Sequence, residues 1–193
     1  MYAPSLIGGY VKTFKKCRAG DHVEFPVLSK PWRDLEKYRE ARLREARVEI
    51  DLALEFLEDG LIRIAAGKAF QAWKAYLASR LAEKREALKE LFPGSRRIRA
   101  GEEEIEVEDV DVVIALVPTT QMIKLSTVVG EDAVEFTSLA LDLHRYQYNG
   151  PDPEGFFSEV PDDRTAALLI CRMAFRLAGD TDLFKRVCGV FKR

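Results

Sequence analysis

One stretch limits the possible folds more than any other: residues 60–92 carry an uninterrupted helical pattern that ends at Pro93–Gly94. In its first half, apolar side chains recur with the 3.6-residue period of an amphipathic helix. The apolar side combines alanines with large rings, so a second helix can approach closely while the rings fill the gaps. Its members are Ile62, Ala65, Ala66, Ala69, Phe70, Ala72, Trp73, Tyr76 and Leu77.

The segment just before this helix supplies a partner, because residues 32–59 carry a second amphipathic pattern. Gly60 stands where a helix C-terminus favours a left-handed residue, so helices 32–59 and 61–92 are predicted to form an antiparallel hairpin. We therefore expect an all-α fold, a helical bundle built on a long antiparallel helix hairpin. Shorter helices are predicted to cover it over residues 119–129, 131–148 and 162–178, with a last one from Asp180 or Thr181.

Residues 1–30 contain glycines and prolines without a sustained period, and we expect them to form an extended N-terminal arm on a bundle domain of residues 31–193. Residues 93–110 hold arginines followed by acids, which favours a solvated loop over a metal site. The run 111–117, DVVIALV, is β-branched like a strand but has no strand pattern nearby, which favours a helix or an irregular buried segment. The loop through Phe156–Phe157 to Pro161 is apolar enough to fold back onto the body.

Composition excludes several classes of protein. Hydrophobic residues make up 47% and charged residues 32%, which is typical of a globular chain. The formal net charge of −2 provides no global basic field for nucleic acid. No apolar run reaches the roughly 20 residues that span a bilayer, and the N-terminal lysines follow the apolar residues instead of preceding them as in a secretory signal. We expect a cytoplasmic protein with no membrane contact.

The rarer residues add two expectations. Asparagine occurs once and glutamine three times beside many charged residues, which suggests a thermophile. None of the cysteines, Cys17, Cys171 and Cys188, forms a Cys-x-x-Cys pair, so no metal site or cofactor is predicted. Buried free thiols are the favoured state, and a disulfide is the alternative in a hyperthermophile.

A polar stripe along the central helix has two interpretations. Arg63, Gly67, Gln71 and Lys74 share one side of it. They form either an ordinary solvated face or a ligand face, where the cations pair with a phosphate or carboxylate and glycine admits the ligand to the backbone.

Three stretches resemble a known family, the archaeal PaREP family: GLIRIAAGKAFQAWKAYLA over residues 60–78, VPTTQMIKLSTVVG over 117–130 and ALDLHRYQYNGPDPEG over 140–155. That family is similar in turn to the HEPN superfamily. The resemblance implies a helical bundle, usually dimeric, often a metal-independent ribonuclease or toxin paired with a minimal nucleotidyltransferase. The superfamily's catalytic signature is an arginine followed four to six residues later by a histidine.

The sequence departs from that signature. Arg145 is followed by no histidine, and the two histidines of the chain are His144 and His22. His144 does not replace the missing base simply, because adjacent helical residues project about 100° apart. Packing is the favoured role of His144, and a packed helix end is the simpler explanation of Tyr148 than base stacking.

We therefore expect a non-catalytic, HEPN-like module that binds a nucleotide, RNA or a protein, such as a nucleotidyltransferase. A homodimer is expected, because the Trp73 and Tyr76 side offers more apolar surface than a small bundle needs. The alternatives are a ribonuclease toxin that uses Arg145 with His144 or Tyr148, and a purely structural oligomer. The candidate ligand-binding residues are Arg63, Gly67, Lys68, Gln71, Lys74, His144, Arg145, Tyr148 and Asn149.

Overall fold

The computed structural model describes residues 28–100 and 103–189. In this part the chain is mostly helical, with eight α-helices and one two-stranded sheet, which confirms the helical class in outline. The predicted N-terminal arm, apart from residues 28–30, lies outside the described residues, as do Cys17 and His22.

Helices α1 (Leu35–Glu58) and α2 (Ile62–Glu83) form the predicted antiparallel pair. The Asp34 carboxylate caps α1 by accepting the Lys37 N–H at 2.9 Å. Gly60 adopts a φ of +74° in the turn, as the sequence predicted. Ion pairs from Glu49 to Lys68 and from Glu83 to Arg39 show that the two axes run in opposite directions.

The predicted helix over 61–92 is too long, because α2 ends at Glu83 and a separate helix, α3 (Arg85–Leu91), follows. The reason is tertiary. The Arg85 guanidinium makes two hydrogen bonds to the buried Asp111 carboxylate, at 2.8 and 2.9 Å, and Leu88 is fully buried. These contacts require the chain to change direction at Lys84. No proline or glycine stands at the break, so the sequence does not predict it.

The prediction of a solvated loop over 93–110 is wrong. Strands β1 (Ser95–Ala100) and β2 (Glu103–Glu108) form an antiparallel hairpin in this segment. Arg97 stands opposite Glu106, Arg99 opposite Glu104, and Ile98 opposite Ile105. The arginine run and the acidic run are thus complementary cross-strand partners, which stabilise a hairpin.

The ambiguous run after the hairpin is a helix, α4 (Asp109–Leu116), as the sequence analysis favoured over a strand. Val110 and Ile114 are fully buried, and the Ile114 carbonyl accepts a hydrogen bond from the Tyr38 hydroxyl at 2.9 Å. A 3₁₀ turn over Thr119–Gln121 leads into α5 (Met122–Val129), and Gly130 separates α5 from α6 (Glu131–Asn149).

The last helices are α7 (Asp163–Ala178) and α8 (Asp182–Cys188), and the side chains of Asp162 and Thr181 cap them as predicted. A disulfide joins the buried Cys171 of α7 to the buried Cys188 of α8. The favoured state of these two cysteines, free thiols, is therefore wrong, and the disulfide alternative holds.

Helix α2 occupies the centre and is covered by α1, α6 and α7. The Trp73 side chain is fully buried, and its indole N–H donates to the Thr137 hydroxyl of α6 at 2.8 Å. Tyr76 is partly covered by the Arg176 guanidinium of α7, 5.5 Å from its ring centre. The face that suggested a homodimer is thus covered by the same chain, and the homodimer stays a prediction that needs another surface.

Among the described residues no single helix is both long and apolar enough to cross a membrane; only α4 with the Thr119–Val129 segment reaches that length and composition, as a pair bent by 104°.

Candidate functional site

The seam between α2 and the C-terminal half of α6 brings the first and last of the motif stretches together. At its tightest point, a β-carbon built on Gly67 would lie 2.2 Å from the Gln147 side-chain oxygen. Glycine at position 67 therefore leaves the space that the end of the Gln147 side chain occupies. Because Gln147 fills this space, no room is left for a ligand at the Gly67 backbone.

Arg63 lies at the end of the seam and caps helix α6. Its Nε donates to the Gln147 carbonyl at 3.0 Å, and its Nη2 donates to the Tyr148 carbonyl at 2.6 Å. A cation at the carbonyl end of a helix satisfies unpaired acceptors and interacts favourably with the helix dipole.

His144 is packed into the seam instead of facing an open cleft. Its ring stacks on Phe70 with 4.1 Å between ring centres, and its Nδ1 accepts from the Gln147 amide at 2.8 Å. Burial lowers the pKa of His144, and the positive charges of Lys74 and Arg145 lower it further. The imidazole is therefore neutral at neutral pH, as suits a packing residue.

Three more of the predicted site residues have structural partners. Lys68 pairs with Glu49 of α1 at 2.9 Å. Arg145 pairs with Asp142 at 2.8 Å and with Glu159 at 2.5 Å. These ion pairs neutralise Lys68 and Arg145, two of the positive charges that were predicted to bind a ligand.

The third, Asn149, donates to two carbonyl groups, those of Arg145 and Phe157, each at 3.0 Å. It therefore fastens the following loop to the end of α6.

A basic group remains further along the seam. Lys74 is half-buried, and no carboxylate lies within 4 Å of its amine in the part of the chain that the structure describes. Burial lowers the pKa of Lys74, and so does the charge of Arg42 on α1. The Arg42 Nε is buried without a hydrogen-bond partner, although its guanidinium pairs with Glu45. Gln71 is exposed beside this group.

The prediction about the loop between α6 and α7 is confirmed for one part of the loop and wrong for its two phenylalanines. The sequence predicted that the loop folds back onto the body, but Phe156 and Phe157 are 74% and 72% exposed. What packs inward are the loop's other residues, Ser158 and Val160, at 2% and 1% exposure.

The loop is braced by one carboxylate. Asp152 accepts backbone N–H groups from Gly155 and Ser158 at 3.0 Å each and from Phe157 at 2.5 Å. These hydrogen bonds, that of Phe157 first, lower the pKa of Asp152. An aspartate early in a Pro-Gly-rich loop was the available sequence signal for this brace.

Exposed apolar side chains lie at the Arg63 end of the seam and on the loop; together they are here called the aromatic face, and they are Ile64, Tyr148, Phe156 and Phe157. Ile64 and Tyr148 are 50% and 68% exposed, and with Arg63 and Gln147 they line a shallow depression of about 470 Å³. The Asn149–Phe157 hydrogen bond joins the loop to the end of the seam beside Tyr148.

The contacts of the site residues indicate which class of protein this is. The described residues contain no cluster of three or more metal-ligating side chains. His144 is the one histidine among them, and it does not stand with Arg145 as an acid–base pair. Among the described residues, this is a helical protein that exposes several aromatic side chains.

The sequence of the chain matches the model of the archaeal PaREP1/PaREP8 family over residues 41–171, more than half of its length. The chain belongs to that family, which confirms the resemblance drawn from the motif stretches. No curated protein and no solved structure matches it.

Proposed function

We propose that this PaREP-family chain is a non-catalytic module that binds protein, with the aromatic face as its contact surface. The observation that carries the proposal is the exposure of two adjacent phenylalanines, Phe156 and Phe157, on a braced loop. Aromatic side chains are enriched at protein interfaces and carry much of the binding free energy there.

Bracing makes exposed aromatic side chains effective binding groups. The Asp152 hydrogen bonds and the Asn149–Phe157 bond hold the loop backbone in place before any partner arrives. Binding then costs less conformational entropy than it would from a loose loop. Contiguous apolar surface of this kind on a soluble domain marks an interaction site.

The partner that the chemistry favours is a second copy of this chain. The Asn149–Phe157 hydrogen bond ties the loop of the phenylalanines to the end of α6 that carries Tyr148, so a two-fold axis lets each copy place its loop against the Ile64–Tyr148 depression of the other. Glu154 lies two positions before Phe156, and the depression carries the positive charge of Arg63, so charges of opposite sign meet.

Light scattering after size-exclusion chromatography tests this proposal. We expect a dimer for the wild-type chain and a monomer for the double variant Phe156→Ser/Phe157→Ser. Leu116→Ser is the control, because Leu116 is a similarly exposed hydrophobic residue, at 60%, that lies on α4 and outside the aromatic face. A wild-type monomer at all concentrations, or a double variant that still dimerises, contradicts the proposal.

The ribonuclease alternative conflicts with two contacts. The Arg145 guanidinium is engaged by Asp142 and Glu159, and the His144 ring is stacked on Phe70 with its Nδ1 occupied by the Gln147 amide. Metal-independent RNA cleavage needs a proton acceptor and a free cation at one phosphate. We expect no cleavage of RNA by purified protein; cleavage that Arg145→Ala abolishes would establish the ribonuclease.

A second binding function, for a nucleotide or RNA as in HEPN-like modules, is favoured by the basic group of Arg42 and Lys74. The described residues place no carboxylate beside Lys74. An RNA phosphate would supply the missing negative charge. Fluorescence anisotropy with a labelled oligonucleotide should then show weaker binding for Lys74→Gln, with the exposed Lys84→Gln as control. Equal affinities of the two variants would exclude this site.

A further inference from the structure

A cavity of about 350 Å³ lies between α2, the start of α6 and α7, well away from the aromatic face. Helix α6 has 19 residues, so its two ends are separated by about 28 Å. The polar residues of the cavity wall are Tyr76, Arg80, Glu131, Asp132 and Arg176.

Arg176 is held in place at this cavity without a carboxylate partner among the described residues. Its guanidinium lies over the rings of Tyr76 and Phe136, at 5.5 and 5.7 Å, and its Nη2 donates to the Tyr76 hydroxyl at 3.5 Å. Arg172, one turn earlier on α7, lies over the same Phe136 ring at 5.8 Å but has an acid partner, Glu135. The difference between the two arginines is that Arg176 faces the cavity with its charge unpaired.

A second guanidinium stands across the cavity. Arg80 pairs with Glu83 through one nitrogen at 2.7 Å and remains 40% exposed, so its other N–H groups can reach a ligand. Planar guanidinium groups with several donors match the oxygens of a phosphate.

The helix start adds donors to the same wall. Gly130 precedes α6 and has no side chain to cap it, and α6 receives no side-chain cap. Ala133 and Val134 donate to the Gly130 carbonyl, so the N–H groups of Glu131 and Asp132 are those available to an anion. The carboxylates of Glu131 and Asp132 are exposed and form no ion pair with Arg80 or Arg176.

We propose that this cavity binds the phosphate group of a small phosphorylated molecule, with Arg176 and Arg80 as its cationic ligands and the Tyr76 hydroxyl as a further donor. The nearby acids restrict the site to a ligand with one compact anionic group, because a larger polyanion would meet Glu131 and Asp132. The site is independent of the aromatic face and of the proposed protein binding.

The test is a titration of the full chain with inorganic phosphate and with a nucleoside monophosphate, followed by calorimetry and by ³¹P NMR. We expect saturable binding by the wild-type chain. Arg176→Gln should weaken it about ten-fold or more, since a charge-assisted hydrogen bond is lost. Arg172→Gln is the matched control and should bind as the wild type does.

A second variant and a second ligand make the result of this titration decisive. Arg80→Gln repeats the test at an exposed position if Arg176→Gln does not fold, and it should also weaken binding. Acetate in place of phosphate separates a phosphate site from a general carboxylate site. No saturable phosphate binding, equal binding by Arg80→Gln and wild type, or preference for acetate would overturn the proposal.

Discussion

Gly67 and Gln147 meet between α2 and α6, where a β-carbon on Gly67 would lie 2.2 Å from the Gln147 side-chain oxygen. The Gln147 amide in turn donates to His144, which stacks on Phe70. One glycine in α2 thus determines how an amide, an imidazole and a ring are placed in the seam.

Replacing Gly67 by alanine tests this packing. Alanine gains about 1 kcal/mol of helix propensity over glycine, but it displaces Gln147 and breaks the hydrogen bond to His144. We expect Gly67→Ala to lower the free energy of unfolding by about 1 kcal/mol in the wild type and to raise it by about 1 kcal/mol in a Gln147→Ala background. Urea denaturation of the four proteins measures the coupling; additive effects would contradict the contact.

The buried Trp73–Thr137 hydrogen bond gives a second prediction. Thr137→Val keeps the volume but leaves the indole N–H of Trp73 without an acceptor, at a cost of about 1–3 kcal/mol in the free energy of unfolding. Thr137→Ser keeps the hydroxyl and should recover part of that loss. Equal stabilities of the valine variant and the wild type would show that the bond contributes nothing.

The disulfide predicts a response to reductant. Cys171 and Cys188 are 17 residues apart, and closing a loop of that size stabilises the fold by about 3 kcal/mol in the chain-entropy description. We expect dithiothreitol to lower the melting temperature of the wild type and of Cys17→Ser. The double variant Cys171→Ala/Cys188→Ala should show no such shift. A wild type insensitive to reductant would mean that the two cysteines are not bonded.

His144 predicts how stability changes with pH. Because burial and the charges of Lys74 and Arg145 lower its pKa in the folded chain, the unfolded chain binds more protons between the two pKa values. The stability that depends on neutral His144 is therefore complete above the unfolded pKa and is lost as the pH falls towards the folded one. Between about pH 7.5 and 5.5, unfolding should become easier in the wild type and less so in His144→Gln. Parallel profiles would contradict the assignment.

Features with strong local signals were predictable from the sequence. The α1–α2 hairpin followed from apolar periodicity and Gly60, and the caps at Asp162 and Thr181 were recognised from residue type. Features set by distant partners were not. The break at Lys84 depends on Asp111, which lies 27 positions later, and the β-hairpin depends on pairing arginines with acids across a turn.

The sequence predicted only part of the candidate site, again because distant residues make some of its contacts. Periodicity placed Arg63, Gly67 and Lys74 on one side of α2, and the structure brings that side against His144 and Tyr148 of α6. Which charges stay unpaired cannot be read from periodicity, because the partners Glu49 and Glu159 lie on other elements. The exposed phenylalanines were missed because an apolar pair in a loop usually packs inward.

The central claim, that the aromatic face binds a second copy of the chain, is tested most directly by cross-linking between two variants. Ile64→Cys and Phe157→Cys, each in a Cys17→Ser background, are mixed and oxidised. The account predicts that the mixture forms a disulfide-linked heterodimer much faster than either variant alone. A mixture that yields no more cross-linked dimer than the separate variants would contradict it.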